Sequence, residues 1–372
     1  MRPARWQHEN PALDRIAYGV TAMTSSARNT TIDILRGIAI FTMVAANFSA
    51  SLLQTADKVL AFRLYGTFAA PLFIILAGMM VVMTQARHGG FLHYIQRGLL
   101  IIGTGCTVDM AIWGLWPLLG YDVLYLMGLA IPMVYVLARY CRPSVRLAVA
   151  AVLLASTPLL QTLLAYRTEL VSIGLGDLSI QAYGQRLFSA DTLQRLWLDG
   201  WFPLMPWLSF ALVGSVLGNY YLTYGTLATK RLLLAALGLL VSGVGLWLWQ
   251  QPELVIRDGY SELFYPPSIA YALTACGLIL LGCYGVEKTR HFAIYKLFLN
   301  LGHASLFMYI LHQVILVAVL QPVTALHELP FLSFFLVYLA TIMMMVAIGY
   351  VLARFKKRHK SLPFLARFLL GG

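Results

Sequence analysis

"IDILRGIAIFTMVAANF", residues 32–48, sets one acidic and one basic residue at the head of an apolar run that continues to about residue 53. At about 1.5 Å per residue, a helical run of roughly 20 residues crosses some 30 Å of hydrocarbon. Lipid offers backbone groups no partner outside their own segment, so the run must be a helix. Runs of the same kind recur near 66–84, 98–117, 122–139, 147–165, 202–221, 232–250, 267–284, 297–319 and 331–353. The sequence therefore predicts an all-α, polytopic integral membrane bundle of about 10 transmembrane helices. Composition agrees: 60% of the 372 residues are hydrophobic and 11% charged, against about 25% charged in soluble domains.

The formal charge of +12 is read through its placement. Basic residues gather at 2–28, 87–97, 139–146, 230–231 and 288–296 and in "RFKKRHK" (354–360), which are alternate loops. That positive-inside pattern puts both termini in the cytoplasm, and it makes the charge a topology signal and not a nucleic-acid footprint. The lipid bilayer is the expected partner, with the tail suited to anionic headgroups. Three regions follow: a cytoplasmic arm at 1–30, a transmembrane domain at 31–353 with an external loop at 166–200, and a basic tail at 354–372. In the arm, Leu13, Ile16, Ala17 and Val20 have helical spacing, so it is either an interfacial helix or a loose tail. In the external loop, Asp191 and Gln194 have capping-box spacing; the short helix they predict is either a lid or a plain connector. Cys106, Cys141, Cys276 and Cys283 include no CxxC pair and read as packing residues, with neither a disulfide nor a metal site expected.

Polar residues inside the apolar runs are the candidates for chemistry. In the first helix Arg36, Ile40, Met43, Asn47 and Ser51 share one face, so a polar stripe runs inward from Asp33 and Arg36. Asp109, inside the third run, needs a partner, a proton or water; a neighbouring Ser, Thr or Arg is the structural expectation. In "HASLFMYILHQ" (303–313), Ser305, Tyr309 and His312 fall on one face, whereas His303 points roughly the opposite way. His312 lies roughly 22 Å and Asn47 roughly 24 Å from the cytoplasmic side, a common depth at which the two can meet. By position alone His312 is either a helix-to-helix hydrogen bond or a catalytic group. The outer ends of the returning runs carry "FAAPLF", "YDVLYLMGL", "WFPLMPWLSF" and "YPPSIAY". They form either an ordinary aromatic belt or the rim of an external pocket, with Arg63, Thr67, Tyr125, Trp201, Trp207 and Tyr265 as its substrate-binding candidates. Gly214 and Gly218 form a small-xxx-small pair, for packing within the chain or for a homodimer.

Taken in order, "IDILRGIAIFTMVAANF", "FRLYGTFAAPLFIILAG", "YDVLYLMGLA", "WFPLMPWLSFALVGSVLG", "YPPSIAYALTACG" and "LGHASLFMYILHQVIL" resemble the catalytic-domain family of heparan-α-glucosaminide N-acetyltransferase and its bacterial relatives, within the transmembrane acyltransferase superfamily. The resemblance runs from about residue 30 to 353. It implies a multi-pass acyltransferase of a bacterial inner membrane, with acetyl-CoA or another acyl-CoA as donor, no metal, and a sugar, glycan or lipid-linked sugar as extracytoplasmic acceptor. His312 would be the base, with Asn47, Tyr309 and Asp33 as the other catalytic candidates, and Arg36, His303 and Ser305 would meet the donor. Family members usually carry a histidine between the first two spans. Many bacterial ones have Asp-His late in the first helix and Thr-His before the Ala-Pro of the second. Here those positions read Ala46–Asn47 and Gly66–Thr67, with no histidine between His8 and His88. Three readings stay open. Either the chemistry rests on His312, or Asp57, Arg63, Tyr65 and Thr67 form a different arrangement, or the chain is a non-catalytic membrane protein of the same fold, a transporter of a small or lipidic solute or an assembly partner.

Overall fold

Asn29 starts the first helix: its side-chain oxygen accepts the Ile32 N–H at 3.2 Å, satisfying one of the amides a helix leaves open, and α1 runs Thr30–Leu52. The computed structural model describes residues 29–54, 57, 60–85, 90–167, 171–251, 256–257, 260–261, 267–324, 328–359 and 363–371. The helical spacing at 11–20, Tyr265 and the side chain of Arg63 lie outside the described residues.

The second apolar run is one span interrupted at Phe68, giving α2 (Leu60–Thr67) and α3 (Ala69–Gln85). There follow α4 (Phe91–Trp113), whose last turn is π-helical, and α5 (Val123–Tyr140), with Asp122 as its N-cap. α6 (Pro143–Leu163) opens on proline, which the first turn of a helix tolerates. The external segment holds α7 (Ile180–Leu187) and α8 (Ala190–Asp199), and α9 (Leu204–Tyr224) is bent 43° away from α8. After α10 (Lys230–Gln250), β1 (Ile256–Arg257) pairs antiparallel with β2 (Tyr260–Ser261). The chain closes with α11 (Ile269–Thr289), α12 (Tyr295–Gly302), α13 (Ser305–Thr324), α14 (Phe331–Arg358) and α15 (Phe364–Leu369). Among the described residues, nine helices are long and apolar enough to cross a membrane, or up to ten with the bent α8–α9 pair counted as one. The protein is a multi-pass membrane protein.

The core is built on α1, α3, α9 and α11, which are largely buried, while α6 and α10 keep most of their surface outward. Small residues let these inner helices touch. A Cβ on Gly214 of α9 would lie 2.0 Å from the Ile75 carbonyl oxygen of α3, and one on Gly78 of α3 would lie 1.9 Å from the Ala211 carbonyl oxygen of α9. Gly214 therefore serves packing within the chain. α1 and α12 meet as closely: a Cβ on Gly37 would lie 1.9 Å from the Phe298 carbonyl oxygen, and one on Gly302 would lie 1.9 Å from that of Asp33.

Two local expectations are corrected. The apolar run at 297–319 is not one helix. It breaks at His303–Ala304, where Ala304 has left helical geometry (φ −134°, ψ 50°), and α12 lies against α1 while α13 makes the crossing. The external helix is capped by Ser189, whose Oγ accepts the Thr192 N–H at 3.3 Å, and not by Asp191. Asp191 instead pairs with Arg167 at 2.7 Å, and Gln194 donates to the Leu164 carbonyl and to Asp199.

Candidate functional site

The polar face of α1 opens onto a cavity of about 1030 Å³ that it lines from Asn29 to Ser51. At about 1.5 Å per residue that is roughly 33 Å, the thickness of a hydrocarbon core. The cavity has a basic end and an aromatic end. Arg36 and Arg97 line the first, each about 9 Å into its helix at the usual rise per residue. Trp113, Trp116, Tyr121, Trp201 and Phe202 line the second. Between them lies an apolar waist of Met43, Phe73, Leu76, Met80, Ile101 and Met127.

At the basic end, Arg36 Nη1 lies 3.4 Å from Asp33 Oδ1, and His303 Nε2 lies 3.9 Å from Asp33 Oδ2. Asp33, Arg36 and Ser305 line the cavity; His303 does not, and sits against Asp33.

Toward the aromatic end the first helix and α13 meet. Asn47 Nδ2 is 2.9 Å from His312 Nε2, across 265 residues of sequence. His312 Nδ1 is 3.3 Å from the Met308 carbonyl oxygen. A carbonyl only accepts, so Nδ1 carries hydrogen; an amide nitrogen only donates, so Nε2 offers its lone pair. The ring is a neutral imidazole that holds the Asn47 amide. His312 has 0% exposure and does not line the cavity, whereas Asn47 does. His312→Ala is accordingly expected to cost about 1–3 kcal/mol by removing a fully buried ring with its hydrogen bonds to Asn47 and the Met308 carbonyl, read as a lower thermal midpoint in detergent. ¹⁵N shifts of the wild-type ring are expected to place the proton on Nδ1; a proton on Nε2 would overturn the assignment.

One turn earlier on α13, Tyr309 lines the cavity and donates to Asp122 Oδ2 at 2.9 Å, while Asp122 Oδ1 accepts the Val123 N–H at 2.6 Å. The Tyr309 and His312 rings stand edge to face with centroids 5.3 Å apart. Asp122 itself faces the cavity. Burial pushes its carboxyl above the usual carboxylate range, opposed by the hydrogen bonds from Val123 and Tyr309. Beside Tyr309, Gln313 also lines the cavity, and its Oε1 is buried without a hydrogen-bond partner among the described residues, an acceptor that a ligand's N–H or O–H would satisfy. Asp109 lines the same region, and its carboxylate accepts from Tyr125 Oη, so its partner is neither Ser, Thr nor Arg.

Of the expected rim, Thr67 and Trp201 line the cavity. Tyr125 does not; it acts on the lining through Asp109. Trp207 is a correction. It is 0% exposed and packed between Phe202 and Phe210, at 4.8 and 5.6 Å between centroids, because α9 is buried on nearly all sides. Asp122, Gln313, Arg97 and Arg367 are lining residues that the sequence reading did not assign. Asp122 had a signal, an N-cap acid directly before a span, and Gln313 stood next to His312. Arg367 had only Phe364 and Phe368 at helical spacing.

The family model described as "Heparan-alpha-glucosaminide N-acetyltransferase, catalytic" matches residues 28–244, the stretch that contains Asp33, Arg36, Asn47, Thr67, Asp109, Asp122 and Trp201. No curated protein matches the chain.

Proposed function

The chain belongs to the family of the heparan-α-glucosaminide N-acetyltransferase catalytic domain, membrane acetyltransferases whose general donor is acetyl-CoA, and we propose that it carries an acetyl group from acetyl-CoA at the basic end to a sugar at the aromatic end. The observation behind this reading is the single cavity along α1, with guanidinium groups at one end and carboxylates and aromatic rings at the other. The positive loops favour a cytoplasmic basic end, in a bacterial cytoplasmic membrane, with a glycan or lipid-linked sugar as the extracytoplasmic acceptor.

On this reading Arg36 and Arg97 meet the donor's phosphates, and the thioester reaches inward along the apolar waist. The acceptor hydroxyl or amine attacks the thioester carbon, Asp122 takes its proton, the new C–O or C–N bond forms, and the C–S bond breaks. The proton finally leaves with the coenzyme A thiolate. The Asn47 amide, oriented by His312, supports the oxyanion. Asp122 suits the base better than His312, since it faces the cavity and His312 does not. Aromatic rings beside the carboxylates suit a sugar, whose apolar face stacks and whose hydroxyls donate.

The test is saturable thermal stabilisation of the purified protein by acetyl-CoA. Arg36→Ala is expected to weaken it about tenfold, the loss of a charge-assisted contact. Absence of stabilisation in a folded protein removes the donor from this mouth. The cavity's length also favours a second reading, passage of a solute without chemistry, for which uptake into liposomes lacking acyl-CoA is the readout.

A further inference from the structure

The segment after α14 folds back onto the bundle. Lys356 Nζ donates to the Leu370 carbonyl at 2.6 Å and to that of Gly371 at 3.3 Å, Leu370 is buried, and Phe368 packs on the core. Phe364, Arg367, Phe368 and Gly371 thereby become part of the wall of the cavity that Arg36 and Arg97 also line. Three guanidinium groups from α1, α4 and α15 thus line one cavity, and the carboxylate lining its basic end among the described residues is Asp33, already against Arg36 and His303. Like charges gathered in a partly enclosed space repel one another, so the arrangement is suited to an anionic guest. α15 lies beyond residue 244, where the family match ends.

We propose that α15 is a lid on the donor mouth and that Arg367 is a third phosphate ligand, beside Arg36 and Arg97, for the phosphate groups of the acyl-CoA. This rests on the donor reading above. The lid opens to admit the donor, and its closure adds a planar, two-pronged donor to the phosphates and sets Phe364 and Phe368 across the opening. Lys356 does not line the cavity; it positions the lid through the two carbonyls.

Coenzyme A binding by the full chain in phosphatidylcholine nanodiscs tests it. Arg367→Ala is expected to weaken binding about tenfold, with Arg367→Lys partly restoring it. Lys356→Ala is expected to act in the same direction, raising the donor KM while leaving kcat at saturating donor unchanged. An unchanged thermal midpoint without ligand shows that the fold is intact. Wild-type affinity in Arg367→Ala, with binding lost in Arg36→Ala, overturns the lid and leaves the donor reading standing. No binding by the wild type overturns both. Repeating the titration with phosphatidylglycerol separates the two sources of phosphate. If Arg367→Ala leaves coenzyme A affinity unchanged in both lipids but abolishes a stabilisation of the wild type by phosphatidylglycerol, Arg367 holds a lipid headgroup and the assignment to the donor fails.

Discussion

Asp122→Asn is expected to lower acetyl transfer by about 10²–10⁴-fold, the usual worth of a positioned general base, while acetyl-CoA binding stays as in the wild type. Asparagine keeps the size of the side chain and one acceptor for the Val123 N–H, so α5 keeps its cap. What it loses is the lone pair able to take a proton. Asp122 is the better base because its carboxylate faces the cavity between Tyr309 and the start of α5, whereas His312 is sealed behind Asn47. The pH profile separates the two. Burial raises the Asp122 carboxyl, so the active, deprotonated form is lost as pH falls, at a higher pH than for a carboxylate in water. The wild-type rate should show that acid limb, and the Asn variant should lack it. The measurement is acetyl incorporation into the membrane glycolipid fraction of a strain lacking the gene and supplied with each variant. Full activity in Asp122→Asn, with activity lost in His312→Ala, would return the base to the histidine.

Gly214→Val should remove most of the folded protein, destabilising it by more than about 3 kcal/mol. The first carbon of the new side chain would sit 2.0 Å from the Ile75 carbonyl oxygen, and backbone cannot swing aside as a flexible side chain does. A Cβ on the opposing Gly78 would likewise lie 1.9 Å from the Ala211 carbonyl oxygen, so the two helices are locked on both sides and neither can slide to make room. Gly238→Val is the control, since a Cβ there meets nothing within 4 Å. Size-exclusion of detergent-solubilised protein gives the answer. Aggregated or absent Gly214→Val beside a monodisperse Gly238→Val fits packing within the chain. A stable, smaller Gly214→Val particle would instead make the glycine a dimer contact.

The contrast between these residues and the rest of the site shows what local pattern can carry. Hydropathy over about 20 residues located the crossings, because the bilayer imposes length and helical form on each segment independently of its neighbours. Helical periodicity put Arg36, Ile40, Met43, Asn47 and Ser51 on one face; four of the five line the cavity, and Ile40 is buried in the core. Rise per residue brought Asn47 and His312 to one depth, and they are 2.9 Å apart, even though the helix assumed to carry His312 breaks at His303–Ala304.

Direction about the helix axis relative to a partner was not legible. Tyr309 finds Asp122 across 187 residues, Asp109 takes Tyr125 as its donor, Trp207 turns inward between two phenylalanines, and α15 returns to the mouth. Each depends on which helices lie side by side and how closely glycine lets them approach. The sequence by itself determined the membrane bundle, the polar face of α1 and the common depth of Asn47 and His312, since these follow from single segments and their solvent. Only the tertiary structure decided that Asn47 faces the cavity while His312 stands behind it, since that follows from packing between segments that local pattern does not contain.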